Sequence, residues 1–385
     1  MGLDTLTSAH WLLFGSTFVV AVILGAVVNK TNFCTMGAVS DIVNMQDWQR
    51  MRAWILAMAV AIIGVGLLEP LGLISADQTA PPYRGVDISW AGAIVGGLLF
   101  GIGMTLASGC GNKTVVRIGG GNIKSLFVAI VLGLVAYFTI NPPGLDDPLR
   151  IVLFEPLAIP HTHGQDLGSL IAGEAAELAR MFIAVILGAA LLFFVFRASE
   201  FRANKNHILG GLVVGLSVVA VWALSSSISV EGERPQGIVF VGPIADTLEF
   251  FAGGLNFSLM NVGVAVVLGV IVGSLLWSLI SGTFRVEWFA SKQDFSNHFI
   301  GGILMGLGGP LSMGCTFGQG ITALSTLAIT APLAIAGLII GSALTMKVQY
   351  YKMLHEDEAT VAKALITGMV DLRLLPQSMR RLDDI

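Results

Sequence analysis

Apolar runs of membrane-crossing length recur along the chain, separated by short polar connections. Nine are read, at residues 11–28, 52–68, 90–107, 126–140, 178–196, 208–224, 260–280, 299–311 and 331–346. Most approach the ~20 residues needed to cross a ~30 Å hydrocarbon core, the fourth and eighth being shorter. Two of these runs repeat each other. GGLLFGIGMTLASGC at 96–110 lies without a gap over GGILMGLGGPLSMGC at 301–315, with 8 of 15 positions identical. Both copies end in Gly-Cys, so a small-residue helix leading to a thiol occurs twice in one very hydrophobic chain.

The polar positions complete the pattern. After Cys110 and after Cys315 come short Gly-rich stretches, 111–125 and 316–330, rather than further long apolar helices. They predict broken or re-entrant segments, which membrane proteins tolerate at depth only where the backbone is buried in protein or lines a watery cavity. Discontinuous helices at matching places in two halves point to a transport site.

Lys and Arg concentrate in alternate connections: Lys30, Arg50 and Arg52; Lys113, Arg117 and Lys124; Arg197, Arg202 and Lys205; Arg285 and Lys292; Lys347, Lys352 and the tail. The positive-inside rule puts these in the cytoplasm, the N-terminus outside and the C-terminus inside. The first span follows Asp4 and no basic residue, so it is read as retained rather than as a cleaved signal. With nine spans the two Gly-Cys helices cross in opposite directions. Cys110 is then approached from the cytoplasm and Cys315 from outside. The predicted fold is an all-α polytopic membrane protein, with about nine transmembrane helices, short broken helices and two inverted pseudo-symmetric halves. One membrane domain spans 1–385: a first half at about 11–140, a connecting loop and helix at 141–200, a second half at 207–350 and a cytoplasmic tail at 352–385.

Composition agrees with that solvent. The 385 residues are 55% hydrophobic and only 12% charged, against about 25% charged in soluble domains. The 47 glycines suit helices that approach closely in lipid. The net charge of -4 decides nothing, because the charges lie in loops.

The chain has three cysteines. Cys34 opens Cys-Thr-Met-Gly and Cys315 opens Cys-Thr-Phe-Gly, whereas Cys110 opens Cys-Gly-Asn-Lys. The inverted counterpart of the Cys34 turn is expected near Ser225, Ser226 and Ser227, where there is no cysteine, so the pathway is expected to be asymmetric. Supporting turn residues are Thr35 and Gly37, then Gly109, Gly111 and Asn112, then Gly314, Thr316, Gly318 and Gln319. Turn amides and helix N-termini hold anions without a full positive charge. A neutral thiol adds a soft, weak donor from which a permeant can leave again. Cys315 is expected first from outside and Cys110 nearest the inside, with Cys34 less firmly placed. No CxxC occurs, so neither a redox pair nor structural zinc is expected. His161 and His163 are too few for a metal site. Lys113, Arg117 and Lys124 are read mainly as topology signals, and Glu69 and Glu249 as solvated outer groups. No GxxxxGK[ST] motif supports direct ATP drive. No catalytic residue, metal, cofactor or nucleic-acid partner is expected. The mixed charged and apolar tail is expected along the inner face.

FCTMGAVSD and the two extended Gly-Cys stretches resemble the YeeE/YedE sulfur-transport family over roughly residues 14–346. The resemblance implies a bacterial inner-membrane protein of hourglass shape, taking up thiosulfate along a line of three cysteines, here Cys34, Cys110 and Cys315. It also implies cooperation with a small cytoplasmic TusA-like sulfur carrier, and it leaves related sulfur or selenium species open as substrates. Two other classes compete. One is a membrane sulfurtransferase that forms a Cys persulfide, which requires an activated thiolate beside a base or cation. The other is a scaffold in which the repeats only pack.

Overall fold

The computed structural model describes residues 7–141, 154–160, 164–228, 230, 233–355 and 359–382; His161 and His163 lie outside them. The described residues are overwhelmingly helical. The first half contains α1 (Ser8–Thr31), α2 (Thr35–Met45), α3 (Gln49–Leu68), the two-residue strand β1 (Asp87–Ile88), α4 (Trp90–Leu106), α5 (Gly111–Gly119) and α6 (Ile123–Ile140). The connection supplies β2 (Ile159–Pro160), paired antiparallel with β1, then α7 (Leu167–Ala172), α8 (Ala176–Phe196) and α9 (Ser199–Ala203). The second half contains α10 (Lys205–Ser227), α11 (Val241–Ala252), α12 (Val262–Ile280), α13 (Lys292–Leu311), a π-helical turn (Gly318–Ala323) and α14 (Thr330–Leu354). The tail forms α15 (Val361–Asp371).

Among the described residues, eight stretches are long and apolar enough to span a bilayer, against about nine expected. The remaining helix, α13, crosses antiparallel to α4 at the centre but is short in apolar length. Its last turns are the expected eighth span, but its first turns carry Lys292, Asp294 and His298. The chain is thus a multi-pass, all-α membrane protein.

Helix packing is reciprocal between the halves. α1 packs on α12 as α10 packs on α3, and α4 packs on α14 as α13 packs on α6. The short segments follow the same rule: α5 lies against α6 and α12, and the π turn against α14 and α3. α4 and α13 cross antiparallel at the centre. A Cβ on Gly103 would sit 2.7 Å from the Gly301 carbonyl oxygen, and one on Gly301 2.7 Å from that of Gly103. Gly96 and Gly308 repeat the arrangement at the other end of the crossing. The repeat aligns Gly96 with Gly301 and Gly103 with Gly308, so a two-fold relation exchanges these two contacts. Glycine is needed here because the backbones touch. α8 stands outside this set. It packs on α3 and turns Phe182, Ile186 and Phe193 outward, as lipid-facing helices do.

One ion network braces the face at which α4 begins. Arg84 bonds Glu69 bidentately and reaches Asp77 at 3.0 Å, while its Nε donates to the Thr326 carbonyl. Arg180 forks onto Asp166 at 2.8 and 2.9 Å. The backbone around Asp166 pairs with 327–329, since Leu167 N donates to Leu327 O and Ile329 N to Gln165 O. Glu69 is therefore not the solvated group expected; it is half-buried and paired because Arg84 folds back over it.

Candidate functional site

Each cysteine is set by the same backbone device. Asn32, Ser108 and Met313 adopt left-handed conformations, with φ of 51°, 57° and 55°, two residues ahead of Cys34, Cys110 and Cys315. In the repeat the match extends to hydrogen bonds. Gly109 N donates to Met104 O at 2.8 Å, and Gly314 N to Gly309 O at 2.8 Å. These caps end α4 and α13 by closing on their last free carbonyls. The chain then turns and starts a short helical segment, with the cysteine at or just before its N-terminus. Cys34 caps α2, and its Sγ accepts from Gly37 N at 3.4 Å. Cys110 occupies the N-cap of α5. Cys315 precedes the π turn, and its Sγ accepts from Gly318 N at 3.5 Å.

A fourth short helix, α11, is the two-fold counterpart of α2. Its N-cap is Phe240, not a residue near Ser225–Ser227 as expected. The chain runs on without helix through the described part of 228–240 before α11 starts. The Gly242-Pro243 pair at its start was the sequence signal for this helix. Phe240 packs edge-on against Phe317 with ring centroids 5.2 Å apart, and Phe317 against Phe33 at 6.3 Å.

The thiols gather between these ends. Cys34 and Cys110 lie side by side, near enough to interact, and the Thr316 hydroxyl lies beside Cys110 without a formed hydrogen bond. Cys315 is surrounded by backbone amides of Phe317, Gly318 and Phe240. Cys110 and Cys315 are buried, while Cys34 is half-buried. Thr35, Asn112, Thr316 and Gln319 are buried beside them. Several polar atoms here lack a partner: Asn112 Oδ1, Thr316 Oγ1, Gln319 Oε1 and the hydroxyl of Tyr83. Buried polar atoms are normally satisfied, so an unpaired group of them suits a place that a polar species visits. Tyr83 lies near Gly318, and no pattern in its Pro-Pro-Tyr-Arg loop predicted it.

Two cavities approach this cluster from opposite faces. One, about 880 Å³, is lined by Cys34, Gly37, Asn32 and Ser108, and by five basic side chains, Lys30, Arg50, Lys113, Arg117 and Arg285, against Asp41 and Glu287. Arg50 pairs with Asp41 at 3.1 Å and Arg285 with Glu287 at 3.7 Å. Lys113 donates instead to Asn32 Oδ1, Arg117 to the Ser108 carbonyl, and Lys30 lies over Trp277. These three leave the cavity net positive. Lys124 is not among them; it pairs with Asp294 at 2.9 Å. The other cavity, about 420 Å³, lies at the opposite end of α6 and is mostly apolar. Gly309, Pro310, Met313 and Gly314 bring its wall up to Cys315. The basic cavity meets Cys34, and Cys110 sits behind it next to Thr316. Between the apolar and the basic cavity the thiols stand in the order Cys315, Cys110, Cys34, with Cys34 rather than Cys110 lining the basic cavity. Tertiary closure of the α1–α2 turn over Cys110 decides this, and spacing along the chain does not encode it.

A multi-pass helical protein with discontinuous helices meeting between two opposed vestibules has the architecture of a membrane transporter. The sulphur-transport family model matches residues 30–344, and the chain belongs to that family, YeeE/YedE. It is similar to the thiosulfate transporter TsuA of Escherichia coli (strain K12), 28% identical over 318 residues, covering 80% of this chain and 86% of the relative. It is also similar to the thiosulfate transporter TsuA of Spirochaeta thermophila, 25% identical over 332 residues, covering 84% of this chain and 95% of that one. Over a shorter stretch of 144 residues it is 31% identical to the probable transporter YedE of Salmonella typhimurium, covering 36% of this chain and 33% of the relative. The named relatives are transporters, and the class of cargo their names support is a sulfur anion.

Proposed function

We propose that this protein carries thiosulfate, or a closely related sulfur anion, across the bacterial inner membrane past Cys315, Cys110 and Cys34. The observation that carries the reading is the placement of all three of the chain's thiols between two opposed cavities, beside unpaired buried polar atoms. The anion is bound weakly at each step, by backbone amides and a neutral thiol, and so released. The basic cavity then draws it inward. On this reading that cavity is cytoplasmic, the N-terminus is outside, and the basic face is where a TusA-like carrier takes the sulfur. The two halves are the six-element sets on either side of the 141–200 connection. Uptake of ³⁵S-thiosulfate into vesicles carrying the purified protein, competed by sulfite, sulfate and selenite, tests the function. Absence of uptake, or selenite as the preferred cargo, would overturn the thiosulfate assignment.

A second reading rests on Lys113, which lies close enough to Cys34 to act on it electrostatically. A cation beside a thiol pair is what a sulfurtransferase needs. A stable persulfide on Cys34 or Cys110 after thiosulfate exposure, detected by mass spectrometry, would favour that chemistry over passage.

A further inference from the structure

Asp246 presents a contradiction. It lines the apolar cavity beside Cys315, on the second turn of α11, whose capping residue Phe240 lends its amide to Cys315. Among the described residues lining that cavity it is the one titratable side chain. Its hydrogen-bond partner among the described residues is neutral: Asn261 Nδ2 donates to Oδ2 at 2.9 Å. No described cation lies within ion-pair distance of it. A bare carboxylate at the mouth of an anion path repels the cargo, and the low-dielectric wall strengthens the repulsion.

The described surroundings do not neutralise it. On α11 the nearest charged group is Glu249, and the segment before the helix adds Glu233. Burial first, and then the charge of Asp246, push Glu233 up to about 7. Arg234 follows Glu233 but is exposed and makes no described ion pair with Asp246. The end of α6 near this cavity supplies Tyr137, the start of α12 only Asn261, and the end of α13 is Gly-Gly-Pro-Leu. The basic groups of α6 and α13 lie at their opposite ends.

We propose that Asp246 is a proton-binding site that couples anion entry to proton entry. This rests on the transport reading above. The carboxylate takes one proton from the outer solution and becomes a neutral acid. The anion then passes to Cys315 without repulsion; the Asp246 O–H bond breaks as the proton follows the anion inward, the carboxylate is restored, and the proton is released to water on the inner side. No other bond changes. A proton entering with the anion offsets one of its charges against a membrane potential that is negative inside.

The test uses the purified protein in liposomes containing a pH-sensitive dye, with ³⁵S-thiosulfate outside. Exchange of labelled for unlabelled thiosulfate by the wild type, at equal pH and without potential, checks the transport reading by itself. The wild type should acidify the lumen as thiosulfate enters and accumulate it when the outside is more acidic. Asp246→Asn keeps the shape and the Asn261 bond, and should lose the acidification per thiosulfate moved. Asn261→Ser keeps a good N-cap for α12 but removes the amide donor that favours the charged carboxylate, so the pH limb of uptake should shift to higher pH. Acidification by the Asp246→Asn protein at the wild-type ratio would overturn the proposal. So would wild-type accumulation that follows a sodium gradient with no acidification. Should the Asp246→Asn protein prove inactive, an unshifted pH limb in Asn261→Ser would overturn it.

Discussion

The hydroxyl of Thr316 lies beside the thiol of Cys110, so the turn that follows one copy of the repeat meets the cysteine that ends the other. The two Gly-Cys helices cross at Gly103 and Gly301 and deliver their ends to a shared centre. The Cys110 thiol is held between residues of both halves, which makes its substitution informative.

Replacing each cysteine with Ser and with Ala should lower uptake in the order Cys, Ser, Ala at constant protein level. Ser keeps a donor but is harder and smaller, and Ala keeps none. Loss of one weak donor on the path is worth about a tenfold fall at most per site. Cys110, flanked by both Cys34 and Thr316, should be the most sensitive. Uptake by the Cys110→Ala protein equal to wild type would remove the thiols from the mechanism.

A charged, impermeant thiol reagent on the basic side should label Cys34 ahead of Cys110 and Cys315, because only Cys34 lines that cavity. Thiosulfate should protect it. In a background lacking the native cysteines, Ser8→Cys and Ser378→Cys should be labelled from opposite sides of intact cells or inverted vesicles. Labelling of both from one side would contradict the assigned orientation.

Gly97→Leu and Gly302→Leu should both reduce folded protein, by about 1–3 kcal/mol of overpacking strain each. Gly97 should be the worse of the two. Its new Cβ would press on the Ala334 backbone carbonyl, whereas that of Gly302 would meet the movable Val131 side chain at 3.0 Å. Thermal unfolding in detergent measures the difference, and equal melting points for the two variants would contradict it.

Burial raises the Asp166 carboxyl, but the Arg180 fork and two donors from Ser169 outweigh it and hold it below the usual range. A depressed acid stabilises the fold above its unfolded pKa, and that contribution is lost as pH falls through the folded value. Melting temperature should therefore hold from neutral pH down to about 4 and drop below it. Arg180→Ala should cost about 3–5 kcal/mol, as breaking a buried pair does, and move the drop to higher pH. An unchanged pH profile in that variant would show that the network does not brace the fold.

Much of this was legible in the residues, and the exceptions have physical causes. Apolar run length marked the spans, and the duplicated Gly-Cys end marked the central crossing, because backbone contact in lipid demands small residues. The fate of α13 was harder, since its charged first turns belong to the same helix as its apolar end. The position of Cys34 was not readable, because closure of one turn over another is a tertiary event. Phe240 was missed because the non-helical approach, over the described part of 228–240, displaced its helix from the place symmetry suggested. Glu69 looked solvated because its partners Arg84 and Arg180 are 15 and 111 residues away.

A perfectly two-fold object cannot tell its two sides apart, and a carrier built that way would work equally well in both directions. Phe240 occupies the slot equivalent to Cys34, where the symmetry calls for a fourth thiol. That aromatic ring helps give the centre a front and a back, with an apolar shoulder beside Cys315. On the proposed pathway, the anion meets a different surface from each side because one member of the quartet is not a cysteine.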